Sequence, residues 1–176
     1  MGAFKSKKKN TWMGIALGVT GGLAGAWLMN QSQSMMEKIA KNAANGAAAG
    51  GAEGQGQGEP ATVLTAEKIS ESVMGIPLPA EKKKMAEPLV HYKFGALVGA
   101  LYGGLAAKAP KITLGPGTIY GAAVWLLADE LAVPAFGLSG PPRRYPLSKH
   151  LQALGAHLVY GLTAEGVRLA GSKLAS

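Results

Sequence analysis

The stretch "IYGAAVWLLADELAVPAFGLSGPP", residues 119–142, is apolar enough to cross a membrane until two adjacent carboxylates, Asp129 and Glu130, interrupt it. The preceding "GPG" at residues 115–117 predicts the helix start, because its proline presets a first helical turn. Pro134 predicts the helix end. Asp129 would then lie about 20 Å along the helix and about 6 Å from its far end. We therefore expect both acids nearer a membrane interface than the midplane.

Apolar residues outside this stretch are clustered, unlike those of a soluble core. Charges are nearly absent from blocks that are typical of helices surrounded by lipid. These blocks are Thr11–Met29, Phe94–Ala107 and Ile112–Ala128. The 176 residues include no cysteine, which excludes a disulfide framework, a thiol nucleophile and a cysteine-based zinc site. The predicted fold class is all-α, an integral membrane bundle of about four transmembrane helices with a glycine-rich linker.

The basic residues give a net charge of +8, and they flank the apolar blocks instead of forming a patch among aromatic residues. This placement is typical of membrane topology signals and of contacts with anionic headgroups. Nucleic acid is therefore not an expected partner, whereas membrane lipids are. The predicted headgroup-binding residues are Lys7, Lys8, Lys9, Lys82, Lys83, Lys84, Arg143 and Arg144.

The first apolar block follows a lysine tail and is long enough to span, at about 27 Å for its helical run. A cleaved signal peptide is the alternative, since "AGA" at residues 24–26 resembles a cleavage site. The apolar run continues past that point, which favours a retained helix. Glycines recur on one face of this helix and of the next, where they would let another helix approach closely. The predicted helix-packing positions are Gly14, Gly18, Gly21, Gly25, Gly95, Gly99, Gly103 and Gly161.

The chain divides by composition into three parts: a basic tail with the first helix at 1–29, a polar linker at 30–90, and a core bundle of three helices at 91–176. Residues 45–60 form a low-complexity segment too poor in large apolar residues to fold alone. Thr65 is the predicted N-cap of a short amphipathic helix that ends at "GIPLP". We expect this helix to lie on the bilayer or on its neighbours.

The fourth candidate helix, "SKHLQALGAHLVYGLTAEGVRLAG", starts with Ser148 as its predicted N-cap. At 100° per residue its ionisable groups share one face. Such a helix spans only if that face is buried in the bundle, because a charge facing lipid costs about 2.5 to 3.5 kcal/mol. The candidate intramembrane polar network comprises Asp129, Glu130, His150, His157, Tyr160, Glu165 and Arg168.

Two interpretations of the acids remain open. In the first, the acids lie at the end of the third helix, where they reach headgroup water or pair with Arg143 and Arg144. Only one of the two acids would then face the bundle. Alternatively, an antiparallel fourth helix brings His150 or His157 within hydrogen-bonding reach of Asp129, and these titratable groups form a proton relay. The two histidines are about 10.5 Å apart along the axis, too far to share a zinc ion. Hydrolase and nucleotide-binding motifs are absent, so no catalytic residue, metal or cofactor is predicted.

Several blocks resemble a known family when they are taken together. "HYKFG" with "GALYGG", the 119–142 stretch and "HLQALGAHLVYGLTAEGVRL" are similar to the YagU-like bacterial inner-membrane proteins, a domain of unknown function. The resemblance covers roughly His91 to Arg168. It implies a helical membrane protein of the bacterial envelope and carries over no catalytic residue. The matching positions are His91, Tyr92, Gly95, Tyr102, Gly103, Tyr120, Gly121, Trp125, Asp129, Glu130, Pro134, Gly137, Leu138, His150, His157, Tyr160, Gly161, Glu165 and Arg168.

The expected function is that of a multi-pass protein of the bacterial inner membrane without enzymatic activity. It would pack through glycine faces, either as a homo-oligomer or with other membrane proteins in a larger complex. The alternative is a proton-conducting or pH-responsive protein, linked to acid stress. Basic residues nearly balance across the membrane, so orientation rests on the lysine tail, which places the N-terminus in the cytoplasm.

Overall fold

The computed structural model describes residues 2–46 and 61–175, which confirms the all-α class over that part of the chain. Its α-helices are α1 (Gly2–Gly46), α2 (Ala61–Met74), α3 (Ala80–Ala106), α4 (Thr118–Val124), α5 (Val133–Ala135) and α6 (Leu147–Leu174). A π-helical segment, Trp125–Ala132, joins α4 to α5. Short 3₁₀ turns occupy Pro110–Thr113, Gly115–Gly117 and Pro142–Arg144.

Helix boundaries differ from the predicted ones, because polar helix formers extend the apolar blocks. α1 is a 45-residue helix that continues well beyond Met29. α3 begins at Ala80 and includes the "EKKK" run and Pro88 before its apolar part. The boundaries at residues 29 and 90 therefore fall inside helices, and the three-part division stays a prediction. Most of the low-complexity segment, residues 47–60, lies outside the described residues.

The two predicted N-caps are wrong. α2 starts at Ala61, so Thr65 lies inside it and donates its hydroxyl to the Ala61 carbonyl oxygen at 2.7 Å. α6 starts at Leu147, one residue before Ser148, and has no side-chain cap. In both cases the chain is already helical before the residue with the best capping side chain. Gly75, with φ +70°, follows α2 where the "GIPLP" sequence predicted its end.

The predicted stop at Pro134 is also wrong, because the helix widens there. The Val133 N–H bonds to the Ala128 carbonyl, five residues back, which is the hydrogen bond of a π-helix. Pro134 lies in α5, and helical hydrogen bonding continues with Phe136 N–H to Ala132 O at 2.9 Å. In an α-helix the proline ring would clash with the carbonyl four residues earlier, and a wider turn relieves that clash.

α1 packs along both α3 and α6, and α4 packs against α6, while α2 lies on α3. The buried core is small and contains few aliphatic side chains. Its members are Met29, Tyr102, Tyr120, Ala156, Tyr160 and Ala164. Large apolar side chains instead point outward: Leu97 is 68% exposed, Leu127 61% and Ile119 60%. The interior is thus built from glycine, alanine and tyrosine, and the exterior from leucine and isoleucine.

By length and composition, one stretch among the described residues, Thr11–Met36, can cross a membrane. Its mean hydropathy is 1.4, and 39% of its most apolar window is buried. The core helix of a soluble protein and a signal sequence meet the same criteria. This finding supports membrane association for α1.

Candidate functional site

The π-helical segment aims both of its acids at α6. Glu130 Oε1 lies 2.6 Å from His150 Nδ1, and His150 Nε2 lies 3.1 Å from the Pro142 carbonyl oxygen. Both ring nitrogens face acceptors, an arrangement that favours the doubly protonated, charged form of the ring. The hydrogen bond with Glu130 raises the pKa of His150 above its ordinary value. His150 is in the first turn of α6, at the end of the bundle.

Asp129 contacts the second histidine of the same helix. Its Oδ2 lies 3.8 Å from His157 Nδ1, which is an ion-pair distance and too long for a hydrogen bond. His157 is buried and its Nδ1 donates to the Ala153 carbonyl oxygen at 2.9 Å. The sequence predicted that Asp129 would contact either His150 or His157, and that only one of the two acids would face the bundle. The structure pairs each acid with its own histidine, because the wider π turn brings consecutive side chains closer in direction.

A second polar cluster, the Glu165 cluster, lies at the interface of α3 and α6 and comprises Glu165, Arg168 and Tyr102. Arg168 binds Glu165 through two parallel hydrogen bonds, Nε to Oε2 at 2.6 Å and a terminal nitrogen to Oε1 at 2.7 Å. The Tyr102 hydroxyl donates to Glu165 Oε2 at 2.8 Å. Tyr102 is fully buried and Glu165 is 4% exposed. A bidentate pair with a third donor is a fully satisfied buried charge.

Tyrosine hydroxyls also join helices to backbone carbonyls. Tyr160 on α6 donates to Gly95 O at 2.7 Å, and Tyr120 on α4 donates to Val98 O at 2.8 Å. The Tyr102 and Tyr120 rings are 4.6 Å apart. Sequence reasoning placed Tyr160 in the polar network but did not place Tyr102 or Tyr120 there. Each of the three is followed directly by a glycine, and this Tyr-Gly pairing within apolar runs was the available signal.

The glycines of α1 face backbone atoms of α3 and α6. A Cβ at Gly14 would lie 2.5 Å from Gly103 O, and one at Gly18 would overlap the Gly99 carbonyl. On the part of this face that meets α6, a Cβ at Gly21 would lie 2.9 Å from Ala164 O, and one at Gly25 would meet the Tyr160 ring. Gly22, which sequence reasoning missed, lies against Gly95, and Gly161 lies against Gly117. These close approaches all occur within one chain.

The predicted headgroup residues are dispersed. Lys82 and Lys84 are exposed on α3, and Arg143 and Arg144 are exposed on the turn before α6. Lys83 instead pairs with Glu67 of α2 at 2.5 Å. The side chains of Lys7, Lys8 and Lys9 lie outside the part of the chain that the structure describes.

The arrangement offers two acid–imidazole pairs and one satisfied carboxylate–guanidinium pair. Over the described residues, no group of three or more histidine, aspartate or glutamate side chains is placed to hold a metal ion. Acid–imidazole pairs can take up and release protons near neutral pH. Glu165 is less available for that chemistry, because both of its oxygens are already bound by Arg168 and one also by Tyr102.

Comparison with known proteins identifies the chain at the level of a family. A family model described as "Protein of unknown function (DUF1440)" matches residues 65–166, which is more than half of the chain. The matched region contains α3 to α5, most of α2 and α6, and both acid–histidine contacts, as well as Tyr102 and Glu165 of the Glu165 cluster, and it ends two residues before Arg168. No curated protein and no solved structure matches the chain. The chain belongs to the DUF1440 family of proteins of unknown function.

Proposed function

We propose that this chain is a multi-pass protein of the bacterial inner membrane that has no enzymatic activity and acts as an oligomer or as a subunit of a larger membrane complex. The observation that carries the proposal is that polar and apolar side chains are distributed in the opposite way to those of a soluble protein. Charged and tyrosine groups occupy the interior, while Leu97, Leu127 and Ile119 are more than half exposed. In water so many exposed large apolar residues would be unfavourable, whereas in lipid they are the expected exterior.

Helix length and polar burial support four spans. α6 has 28 residues, about 40 Å, which exceeds the hydrocarbon thickness of about 30 Å, and the part of α3 that follows its charged start, residues 88–106, is about 28 Å long. α6 carries its ionisable groups on the face toward α3 and α4, where His157 and Glu165 are buried. A spanning helix with charges needs this burial. The resemblance to YagU-like proteins supports placement in the bacterial inner membrane.

The glycine faces support the packing part of the proposal. Gly14, Gly18 and Gly22 lie against the backbone of α3, which is how helices associate where lipid removes the hydrophobic drive. Because these glycines are engaged within the chain, an oligomer or a partner would use a different surface. The leucine-rich outer face of α6, where Gly155 and Gly166 have no neighbour within 4 Å of an added Cβ, offers close approach.

A topology experiment tests the multi-pass proposal. The chain has no cysteine, so single cysteines can be introduced without background labelling. With four spans, Ser6→Cys and Ala109→Cys are labelled from one side of the membrane, and Gly54→Cys and Ser139→Cys from the other. The lysine tail predicts that the first pair is cytoplasmic. Labelling of all four from the same side would contradict the proposal.

A second experiment tests assembly. Chemical crosslinking in membranes, followed by purification in mild detergent and mass measurement, should give either a homo-oligomer or a complex with another membrane protein. A monomer, free of partners both in membranes and in detergent, would contradict this part of the proposal.

A proton-conducting or pH-responsive function, linked to acid tolerance, is the second candidate. It is favoured by the Asp129–His157 pair, where a buried imidazole lies 3.8 Å from a carboxylate whose side chain is 41% exposed. Because Nδ1 already carries the proton donated to the Ala153 carbonyl, the relay would take up a proton at Nε2 of His157 and release the Nδ1 proton toward Asp129. Proton flux into liposomes should fall in Asp129→Asn and in His157→Gln relative to the parent. Unchanged flux in both variants would exclude the relay.

A further inference from the structure

A groove of about 320 Å³ lies between α2 and the turn that follows α5. Its walls come from one face of α2 and from two residues after α5, where the third proposed membrane segment, residues 118–135, ends. The lining residues are Thr65, Lys68, Ile69, Ser72, Phe136 and Leu138. None of the polar clusters described above contributes to it.

The groove combines a single positive charge with apolar walls. Lys68 donates from its ammonium to the Phe136 carbonyl oxygen, which fixes the charge at the groove. An ammonium has three N–H donors, so this bond leaves donors for a ligand. Ile69 and Phe136 are 56% and 68% exposed, and Leu138 is buried beneath them. The ligand that fits this chemistry has an anionic head and an apolar body.

Acidic residues do not oppose a negative ligand in this groove. The lining contains no carboxylate. α2 carries two acids near Lys68: Glu67 is bound to Lys83 of α3 at 2.5 Å, and Glu71, one turn from Lys68, is exposed and does not line the groove. The Arg144 side chain passes close to Gly140, two residues beyond Leu138, and adds positive charge to the same end of the bundle. The local electrostatics therefore favour an anion.

We propose that this groove binds an anionic phospholipid, with its phosphate on the Lys68 ammonium and an acyl chain along Ile69, Phe136 and Leu138. This inference rests on the proposed membrane location. The groove lies where the third membrane segment ends, which is the depth at which phosphates meet hydrocarbon. Lysine is a common phosphate ligand, and basic residues at this depth attract anionic lipids. Lys68 also caps the helix end, but that role does not require Ile69 and Phe136 to be exposed beside it.

Native mass spectrometry of the full chain in detergent tests the site, with phosphatidylglycerol and phosphatidylcholine of identical chains as probes. The parent should retain phosphatidylglycerol preferentially. Lys68→Gln should lower that preference roughly fivefold, as expected for one basic residue at a membrane surface. Lys68→Arg should keep it. Ser72→Trp, which fills the groove and leaves the charge intact, should lower retention of both lipids at this site.

Lys82→Gln is the matched control, because Lys82 is exposed on α3 and does not line the groove. It should keep the parent's preference, and an equal loss in this variant would mean diffuse surface attraction and overturn the proposal. If Ser72→Trp loses an oligomer but keeps its lipid, the groove binds a second copy of this chain, and the lipid proposal is overturned.

Alkaline extraction of membranes separates failure of the lipid site from failure of the membrane proposal. If the parent is released, the membrane proposal fails and the lipid site fails with it. The second outcome has three parts: the parent stays inserted, Lys68→Gln keeps the parent's circular dichroism spectrum, and this variant also keeps the parent's lipid preference. That outcome excludes the lipid site and leaves the membrane proposal standing.

Discussion

The contact between α1 and α3 and the contact between the π-helical segment and α6 hold helices together in different ways. In the first, glycine backbones meet directly, as at Gly18 and Gly99. In the second, Asp129 and Glu130 each face a histidine of α6. The first contact depends on side-chain size and the second on charge state. We therefore expect the first to be sensitive to a few added atoms and insensitive to pH, and the second to behave in the opposite way.

The largest effect should follow from Gly99→Leu. A Cβ there would overlap the Gly18 carbonyl and lie 2.6 Å from the Gly22 Cα, so the helix backbones would have to separate. Overpacking costs about 1 to 3 kcal/mol even where side chains can adjust, and backbone atoms adjust less. We expect loss of the monodisperse folded peak in size-exclusion chromatography. Ala123→Leu, at an exposed position of α4, should keep that peak. Equal tolerance of both changes would contradict the role of the glycines.

The next effect should come from Glu165→Gln, which leaves the Arg168 charge without its carboxylate. Removing one partner of a buried pair costs about 3 kcal/mol. Thermal unfolding in detergent should show a clearly lower midpoint. The double variant Glu165→Gln with Arg168→Gln removes both charges and should recover part of the loss. A double variant less stable than Glu165→Gln alone would argue against a cost from the unpaired Arg168.

A smaller effect is expected from Asp129→Asn. Its side chain is 41% exposed and lies 3.8 Å from His157, beyond hydrogen-bonding distance. Partly exposed pairs contribute up to about 1 kcal/mol. The unfolding midpoint should therefore fall less than in Glu165→Gln. A loss as large as that of Glu165→Gln would mean that the Asp129–His157 contact carries more of the packing than its geometry indicates.

The smallest effect should be the pH dependence of the His150–Glu130 contact. The contact raises the pKa of His150, so its contribution is fully present below the unfolded pKa of about 6.5. That contribution is lost as pH rises through the folded pKa. The difference in unfolding midpoint between the parent and His150→Gln should therefore be larger at about pH 5.5 than at about pH 9. A difference that grows with pH would contradict this sign.

Sequence patterns predicted the helical class because apolar blocks and glycine spacing are local signals. They did not predict boundaries that depend on neighbouring structure. α1 extends to Gly46 through a run that mixes good helix formers, such as Met35, Glu37 and Lys38, with asparagine and serine, and Pro134 is accommodated by a π turn. Cap and breaker rules predict a helix boundary from a single residue. Thr65 has α-helix on both sides and Pro134 follows a π-helical segment, so neither residue marks a boundary.

The sequence predicted which residue types form the candidate site, but it did not predict which of these residues contact each other. The ionisable face of α6 follows from helical periodicity, and His157 and Glu165 are buried on it. Which acid meets which histidine depends on the π-helical geometry, which has no simple sequence signature. The role of Tyr102 depends on the register between α3 and α6, which brings it to Glu165, 63 residues away in the sequence. Such long-range register cannot be obtained from the pattern of either helix alone.

The central claim is that lipid tails surround the leucine-rich exterior, and spin-label accessibility tests it most directly. Single nitroxide labels at Leu97→Cys, Leu127→Cys and Leu162→Cys, in liposomes, should collide more often with oxygen than with a water-soluble nickel chelate. A label at Ser139→Cys, in the turn before α6, should show the reverse. If the three leucine positions collide mainly with the nickel chelate, water covers that surface and the membrane bundle is contradicted.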